Sequence, residues 1–334
     1  MKILVTGGLG YIGSHTVVEL LNEGHKVVIL DNLSNCNISA LDAIQKITNS
    51  LPIFYEEDIR NTSHIKEILK NHNIDVVIHF AGLKSITESV TDTLEYYDNN
   101  VIGTISLLSA MEQSGVKKII FSSSASVYGI PKFTPLTEDH PLNPTNPYAN
   151  TKKHIEEIIS DLVKGNTSWK VIFLRYFNPV GANSSGLIGE NPKGTPNNLM
   201  PYIARVAIGD SLVLPIYGNK YPTRDGTGIR DYIHVVDLAS GHLAALNYFM
   251  NQSENPAIFN LGTGIGVSVF ELIKAFEIAN DVKINYKINS PRLGDVSECF
   301  ADNTKACREL DWKPAHDLSD MCSSTWLFTK MSKR

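Results

Sequence analysis

Lys2-Ile3-Leu4-Val5-Thr6-Gly7-Gly8-Leu9-Gly10-Tyr11-Ile12-Gly13 opens the chain almost at its first residue. The residues before Gly7 form a short apolar run, the pattern of a buried strand. Ser14–Asn22 continue with helical spacing, and Gly24 stands where a helix stops. Lys26–Leu30 is a second apolar run that closes on Asp31. Strand, glycine turn, helix and strand make a βαβ unit. Gly7, Gly10 and Gly13 take the positions for a tight turn, close backbone approach and helix packing. The unpaired N–H groups at the start of the helix suit a pyrophosphate. Asp31, about 20 residues past the loop, can accept from adenosine ribose hydroxyls. No arginine stands in Asn32–Cys36 to meet a 2′-phosphate, so NAD is expected over NADP.

With 334 residues the chain can bury a large core and divide into two domains. Its 43% hydrophobic and 19% charged content is that of an ordinary globular protein. A net charge of −5 gives no electrostatic pull toward nucleic acid or acidic membrane. No apolar run reaches bilayer length, and the first segment reads as a strand rather than a signal peptide. Cys36, Cys299, Cys307 and Cys322 are widely spaced, and the histidines show no ligand spacing. No metal is expected, the thiols are expected reduced, and the compartment is expected to be the cytoplasm.

The alternation continues past Asp31. Ile53–Tyr55 is expected as a strand ending near Asp58 and Ile59, and Thr62–Asn71 as a helix. Asp75–Phe80 is a strand with Ala81, Gly82 and Lys84 in the loop after it. Leu94–Ser114 is a long helix carrying Asn99, and Lys117–Ser122 is a strand with Ser124 at its end. Tyr148–Val163 is a helix, and Trp169–Tyr176 a strand leading to Phe177. Repeated βα units predict an α/β, Rossmann-type doubly wound parallel sheet covered on both faces. Ligands bind at the carboxyl ends of such strands. Beyond residue 178 the alternation loosens. Residues 178–196 and 215–230 read as loops, and helices are expected at Asn198–Ile208, Val236–Phe249 and Val269–Ile278. The expected division is 1–177 for the dinucleotide and 178–334 for a smaller substrate lobe, with 231–250 a candidate to rejoin the first.

Pro147-Tyr148-Ala149-Asn150-Thr151-Lys152 carries the chemistry. Proline suits a first helical turn, and Tyr148 and Lys152 then share one face. An ammonium beside a phenol favours the phenolate and lowers the tyrosine pKa, giving a usable general base.

Several longer stretches match one family. The glycine stretch, Ser122-Ser123-Ser124-Ala125-Ser126-Val127-Tyr128-Gly129 and Tyr148-x-x-x-Lys152 resemble the extended short-chain dehydrogenases/reductases. His79–Lys84, Leu94–Asn100, Arg175–Gly181, Pro196–Tyr202 and Asp225–His234 resemble the UDP-glucose 4-epimerases among them. The likeness runs through almost the whole chain. It implies a bound NAD that is not consumed, a UDP-sugar substrate and inversion at the sugar C4 through a 4-keto sugar. Tyr148 would be the base, Lys152 would lower its pKa and hold ribose, and Ser124 would bond the 4-oxygen. The resemblance adds Tyr11, Ile12, Asn32, Asn35, Asp58, Ile59, Phe80, Ala81, Gly82, Lys84, Asn99, Ser122 and Phe177 as cofactor contacts. For the UDP-sugar it implies Asn178, Asn198, Leu199, Ile216, Tyr217, Arg230, Arg292 and Asp295, since arginine forks suit diphosphate oxygens. Cys299 would stand beside the sugar C2 substituent, where a small residue leaves room for an acetamido group. A homodimer paired through 94–114 and 148–163 is also implied.

Three rivals are weaker. Nucleotide-sugar dehydratases and decarboxylases put acids just after the serine or threonine, but here Ala125 and Ser126 stand there, and neither is an acid at neutral pH. A net dehydrogenase with freely exchanging NAD, disfavoured by the UDP-binding matches, or another UDP-sugar epimerase of the same family stays open as the alternative. A cofactor sensor without catalysis has no need of Ser124, Tyr148 and Lys152 together.

Overall fold

A computed structural model describes every residue other than 193–195, 197, 251, 293–294 and 334. Asn197, Leu293 and Gly294 of the family stretches therefore lie outside the described residues. The first half runs β1 (Lys2–Thr6), α1 (Tyr11–Asn22), β2 (Lys26–Asp31), α2 (Ser39–Thr48), β3 (Ile53–Glu56), α3 (Thr62–Asn71) and β4 (Val76–His79). Then come α4 (Ile86–Thr91), α5 (Thr93–Tyr96), α6 (Gly103–Ser114), β5 (Lys118–Ser124), α7 (Pro147–Gly165) and β6 (Lys170–Tyr176). The second half holds β7 (Asn178–Val180), α8 (Leu199–Ala207), β8 (Leu214–Tyr217), β9 (Ile229–His234), α9 (Val235–Tyr248) and β10 (Ala257–Leu261). It ends with β11 (Gly266–Ser268), α10 (Val269–Asn280), β12 (Tyr286–Asn289), β13 (Glu298–Cys299), α11 (Thr304–Glu309) and α12 (Leu318–Ser332).

Seven strands form one parallel sheet in the order β10-β6-β5-β4-β1-β2-β3. Alternate side chains go to opposite faces. Ile3 and Val5 join the core under α1, α2 and α9, whereas Leu4 joins that under α3, α6 and α7. The doubly wound expectation is met. The chain winds outward from β1 in both directions, so β1 and β4 flank the point where strand order reverses. A crevice for a ligand opens there.

After β7 the chain builds a second core from α8, α10, α12, β8 and β9. It then returns: α9 packs on α1, and β10 joins the edge of the large sheet beside β6. Two expected loops contain strands. Asn178–Val180 pairs with β9, and Leu214–Tyr217 pairs with β12. Leu214 and Ile216 are buried in alternation, the period of a half-buried strand, and the neighbouring glycines and prolines hid it. Residues 39–48, which carried no expectation, form α2 with Ala43 and Ile44 buried. The expected helix 94–114 is interrupted by a π-helical stretch, Tyr97–Ile102, which buries Asn99 and Asn100. Such wide turns mark functional positions. Among the described residues no helix is long and apolar enough to cross a membrane.

Four buried imidazoles sit at or near the site. Burial holds His15 and His242 down to about 4, and His79 and His234 down to about 3. An unfolded histidine titrates near about 6.5. Below that pH the unfolded chain binds protons that the folded chain refuses. Stability is therefore full above about pH 7 and falls toward pH 4, by up to roughly 1.4 kcal/mol per pH unit for each histidine. We predict a urea midpoint clearly lower at pH 5 than at pH 7. Equal midpoints would show that these imidazoles are not held neutral.

Candidate active site

A cavity of about 560 Å³ opens at the carboxyl ends of β1 and β4. Its floor is the glycine turn. Gly7 has φ +68°, and a Cβ on it would stand 2.7 Å from the Ala81 amide nitrogen. A Cβ on Gly13 would stand 2.2 Å from the Gly7 carbonyl oxygen. Only bare backbone fits, so the first turn of α1 can approach a ligand without a side chain between. Gly10 is the N-cap, and Tyr11 and Ile12 follow it on the cavity wall. The Asp31 carboxylate accepts from the amides of Leu9 (3.1 Å) and Leu33 (3.0 Å). It thereby steadies the glycine turn and remains on the wall with Asn32 and Asn35.

The remaining wall comes from Ile59, Phe80, Ala81, Gly82, Lys84 and the π-helical Asn99. Three expected cofactor contacts stand apart from it. The Asp58 carboxylate is taken by the Arg60 guanidinium at 2.8 Å, and that bonding holds its pKa at about 2. Ser122 is fully buried with its hydroxyl 2.8 Å from His242 Nε2. Phe177 packs with Ala125, Val127 and Ala301.

The Asn146 side chain caps α7 by accepting from the Ala149 amide at 2.9 Å, with Pro147 in the first turn. That start fixes the face carrying Tyr148 and Lys152, both buried and both on the cavity wall. Tyr148 is hydrogen-bonded to Ser124 at the end of β5. The Ser124 Oγ accepts in turn from Ser126 Oγ at 2.9 Å. Lys152 Nζ donates to the Ser122 carbonyl at 2.9 Å and lies 4.8 Å from the centre of the Phe121 ring.

Burial pushes the Tyr148 phenol above its ordinary pKa, and only the bond to Ser124 opposes that. The lysine expected to lower it donates one of its three N–H groups to the Ser122 carbonyl. Burial lowers Lys152 itself to about 8, while Glu156, one turn further along α7, holds it up. Glu156 is itself buried against Arg175, at 3.0 and 2.6 Å.

The residues expected to hold the UDP-sugar stand in the second half of the chain, outside the lining of this cavity. Arg230 on β9 reaches Asp295 at 3.8 Å. The Arg292 guanidinium lies 3.9 Å from the centre of the Tyr217 ring. Cys299 on β13 is Arg230's neighbour across the ladder and touches the Phe177 cluster. Burial raises its thiol to about 11. Asn178 pairs with Tyr232 on β9, two residues from Arg230. Asn198 and Leu199 begin α8, away from this arginine group, and Asn198 bonds Glu190. Ile216 is buried in the lobe's own core and leaves only its main chain to offer a ligand.

Three residues here escaped the sequence. The Tyr221 hydroxyl is buried beside Asp295, Arg230 and Arg292, with no partner among the described residues. Tyr176 lines the cavity and feels Tyr148. Glu190 lies in a stretch read only as loop. Among the described residues no metal-binding cluster occurs.

The chain was compared with known proteins. The family model described as GDP-mannose 4,6 dehydratase matches residues 4–325. A UDP-glucose 4-epimerase of Bacillus subtilis (strain 168) is 53% identical over 326 residues, covering 98% of this chain and 96% of the relative. A UDP-glucose 4-epimerase structure from Stenotrophomonas maltophila, with bound NAD and formylated UDP-arabinopyranose, is 47% identical with a TM-score of 0.97. It covers 100% of this chain and 99% of that one. One from Bifidobacterium longum in complex with NAD+ and UDP is 47% identical with a TM-score of 0.96, at the same coverage. The chain belongs to the UDP-glucose 4-epimerase family, within the extended short-chain dehydrogenases/reductases that the broader model describes.

Proposed function

We propose that this chain interconverts UDP-glucose and UDP-galactose, inverting C4 with an NAD that stays in the cleft. One observation carries the reading: a buried phenol, Tyr148, stands on the wall of a glycine-floored crevice, bonded to Ser124, whose strand end borders the cluster that Cys299 packs against. The crevice residues fit NAD, with a bare-backbone turn for the pyrophosphate and Asp31 for the ribose. Bound there, NAD supplies a reversible hydride acceptor for C4. The relatives' printed activity and the NAD in solved neighbours support the same reading.

Each residue then has one task. Tyr148 takes the proton of the 4-hydroxyl, relayed through Ser124, as C4 gives up its hydride. The product at that stage is a 4-keto sugar. Lys152 supplies the positive charge that the buried phenolate needs. Arg230 and Arg292 hold the diphosphate, with Asn178, Asn198 and Asp295 fixing the rest of the handle. The hexose turns over, hydride returns to the opposite face of C4, and Tyr148 gives the proton back. Ala125 and Ser126 provide no acid to expel water, so elimination has no catalyst. We place the enzyme in the cytoplasm, where Cys36, Cys299, Cys307 and Cys322, none of them in a disulfide among the described residues, would stay reduced. A homodimer fits the exposed Val90, Leu94, Ile102 and Ile105.

The protein is expected to purify with NAD bound and to need none added. Denaturation followed by a nicotinamide assay tests this, and an enzyme without NAD whose rate tracks added NAD would refute it. Tyr148→Phe should lose about 10²–10⁴-fold in kcat while still binding UDP, as removal of a general base requires. Lys152→Met should fall similarly. Near-normal turnover by Tyr148→Phe would remove the phenol from the mechanism.

Cys299 sets the third expectation. It packs against the Phe177 cluster and is small, which supports reading it as a gate that leaves room for an N-acetyl group at C2. We infer that UDP-N-acetylglucosamine and UDP-N-acetylgalactosamine are also interconverted. Cys299→Tyr should then lose the N-acetylated pair and keep the plain hexoses, because overfilling rejects the larger ligand. Wild-type protein that ignores the N-acetyl sugars would contradict the inference.

A further inference from the structure

Residues 182–192, which follow β7, form a strap at the cavity. Leu187, Ile188, Gly189, Glu190, Asn191 and Pro192 all line it. The strap is folded on itself, with the Asn183 amide donating to the Ile188 carbonyl at 3.1 Å and Ala182 bridged to Gly189. It also lies hard against α12: a Cβ on Gly189 would stand 2.5 Å from the Phe328 ring. Past that contact comes Glu190, whose side chain is 8% exposed. A single oxygen, Oε1, accepts from Lys84 Nζ at 3.0 Å and from Asn198 Nδ2 at 2.8 Å. Lys84 belongs to the loop after β4 on the cofactor wall. Asn198 is the N-cap of α8 in the other lobe. One buried carboxylate thus ties the strap, the cofactor wall and the substrate lobe together.

We propose that Glu190 is a positioning residue that latches the strap over the dinucleotide and links cofactor retention to nucleotide binding. The proposal rests on the reading of the cleft as an NAD site. Opening the strap would part the Glu190 carboxylate, 8% exposed, from the half-exposed Lys84 ammonium and break a charge-assisted bond that holds strap to cofactor wall. That makes opening, and hence NAD release, slow. The link follows from the shared oxygen. A UDP handle that draws away the Asn198 amide leaves Oε1 to Lys84 alone, and the pair tightens. UDP should therefore slow NAD release.

The test uses the purified holoenzyme. Released NAD is trapped by a coupled dehydrogenase, and the release rate is measured with and without UDP. Glu190→Gln removes the charge and keeps an acceptor oxygen. It should release NAD about tenfold faster or more, as for loss of a charge-assisted bond. UDP should no longer slow that release, and activity after dilution should come to depend on added NAD. Glu190→Asp should recover part of the retention. Lys84→Met combined with Glu190→Gln should be no worse than the poorer single variant. Thermal midpoints of the variants separate the latch from general loss of structure. A Glu190→Gln enzyme that holds NAD as long as wild type, or in which UDP still slows release, would overturn the proposal. So would additive losses in the double variant. Wild-type protein that carries no NAD at all would instead overturn the reading of the cleft.

Discussion

The contact between the turn after β1 and the backbone after β4 governs the rest of the molecule. Gly7 lies so close to Ala81 that no side chain can stand between them. This happens where strand order reverses, so the close approach and the crevice are one feature. A methyl group at Gly7 would push apart the central strands and raise the floor of the cavity together. The burial of Asp31 follows from the same geometry. Its carboxylate accepts from the Leu9 amide, so the acid expected to meet a ribose also holds the turn beneath the pyrophosphate position.

The active face of α7 is electrostatically balanced within a few side chains. Tyr148 is raised by burial, and Lys152 is lowered by it. Both shifts move toward the neutral forms, yet a lysine held at about 8 still carries its charge at neutral pH while the phenol stays protonated. Glu156 pulls the lysine back toward its charged form while Arg175 and Ser123 satisfy the carboxylate. The phenol–serine bond is the one local influence that favours the phenolate. On the proposed mechanism, a phenol held this way would act as a base only with a positive charge near it, which Lys152 and an oxidised nicotinamide would supply.

Much of this was legible in the sequence because it is periodic or local. The βα alternation gave the sheet, and the spacing of glycines with Asp31 gave the crevice. Tyr148 and Lys152 could be read from helical spacing and a proline. What escaped depends on contacts across the chain. Lys84 and Asn198 are 114 residues apart (198 − 84), and nothing local to Glu190 says that it joins them. Spacing places an ammonium on the right face without saying what it donates to; here one of its N–H groups donates to the Ser122 carbonyl. The strands at 178–180 and 214–217 were hidden by neighbouring glycine and proline, and tertiary pairing overrode local composition. Asp58 and Ser122 carried the family pattern yet turn to Arg60 and His242, so a motif position did not become a cavity contact.

The central claim is that one hydride leaves C4 and returns to it without leaving the site. UDP-glucose carrying deuterium at C4 tests this most directly, turned over in the presence of excess unlabelled NAD. The account predicts UDP-galactose with deuterium still at C4, none in the solvent and none in the free NAD pool. Deuterium lost to water would point to proton abstraction at carbon, and deuterium in the free NAD would show an exchanging cofactor; either result would contradict the account.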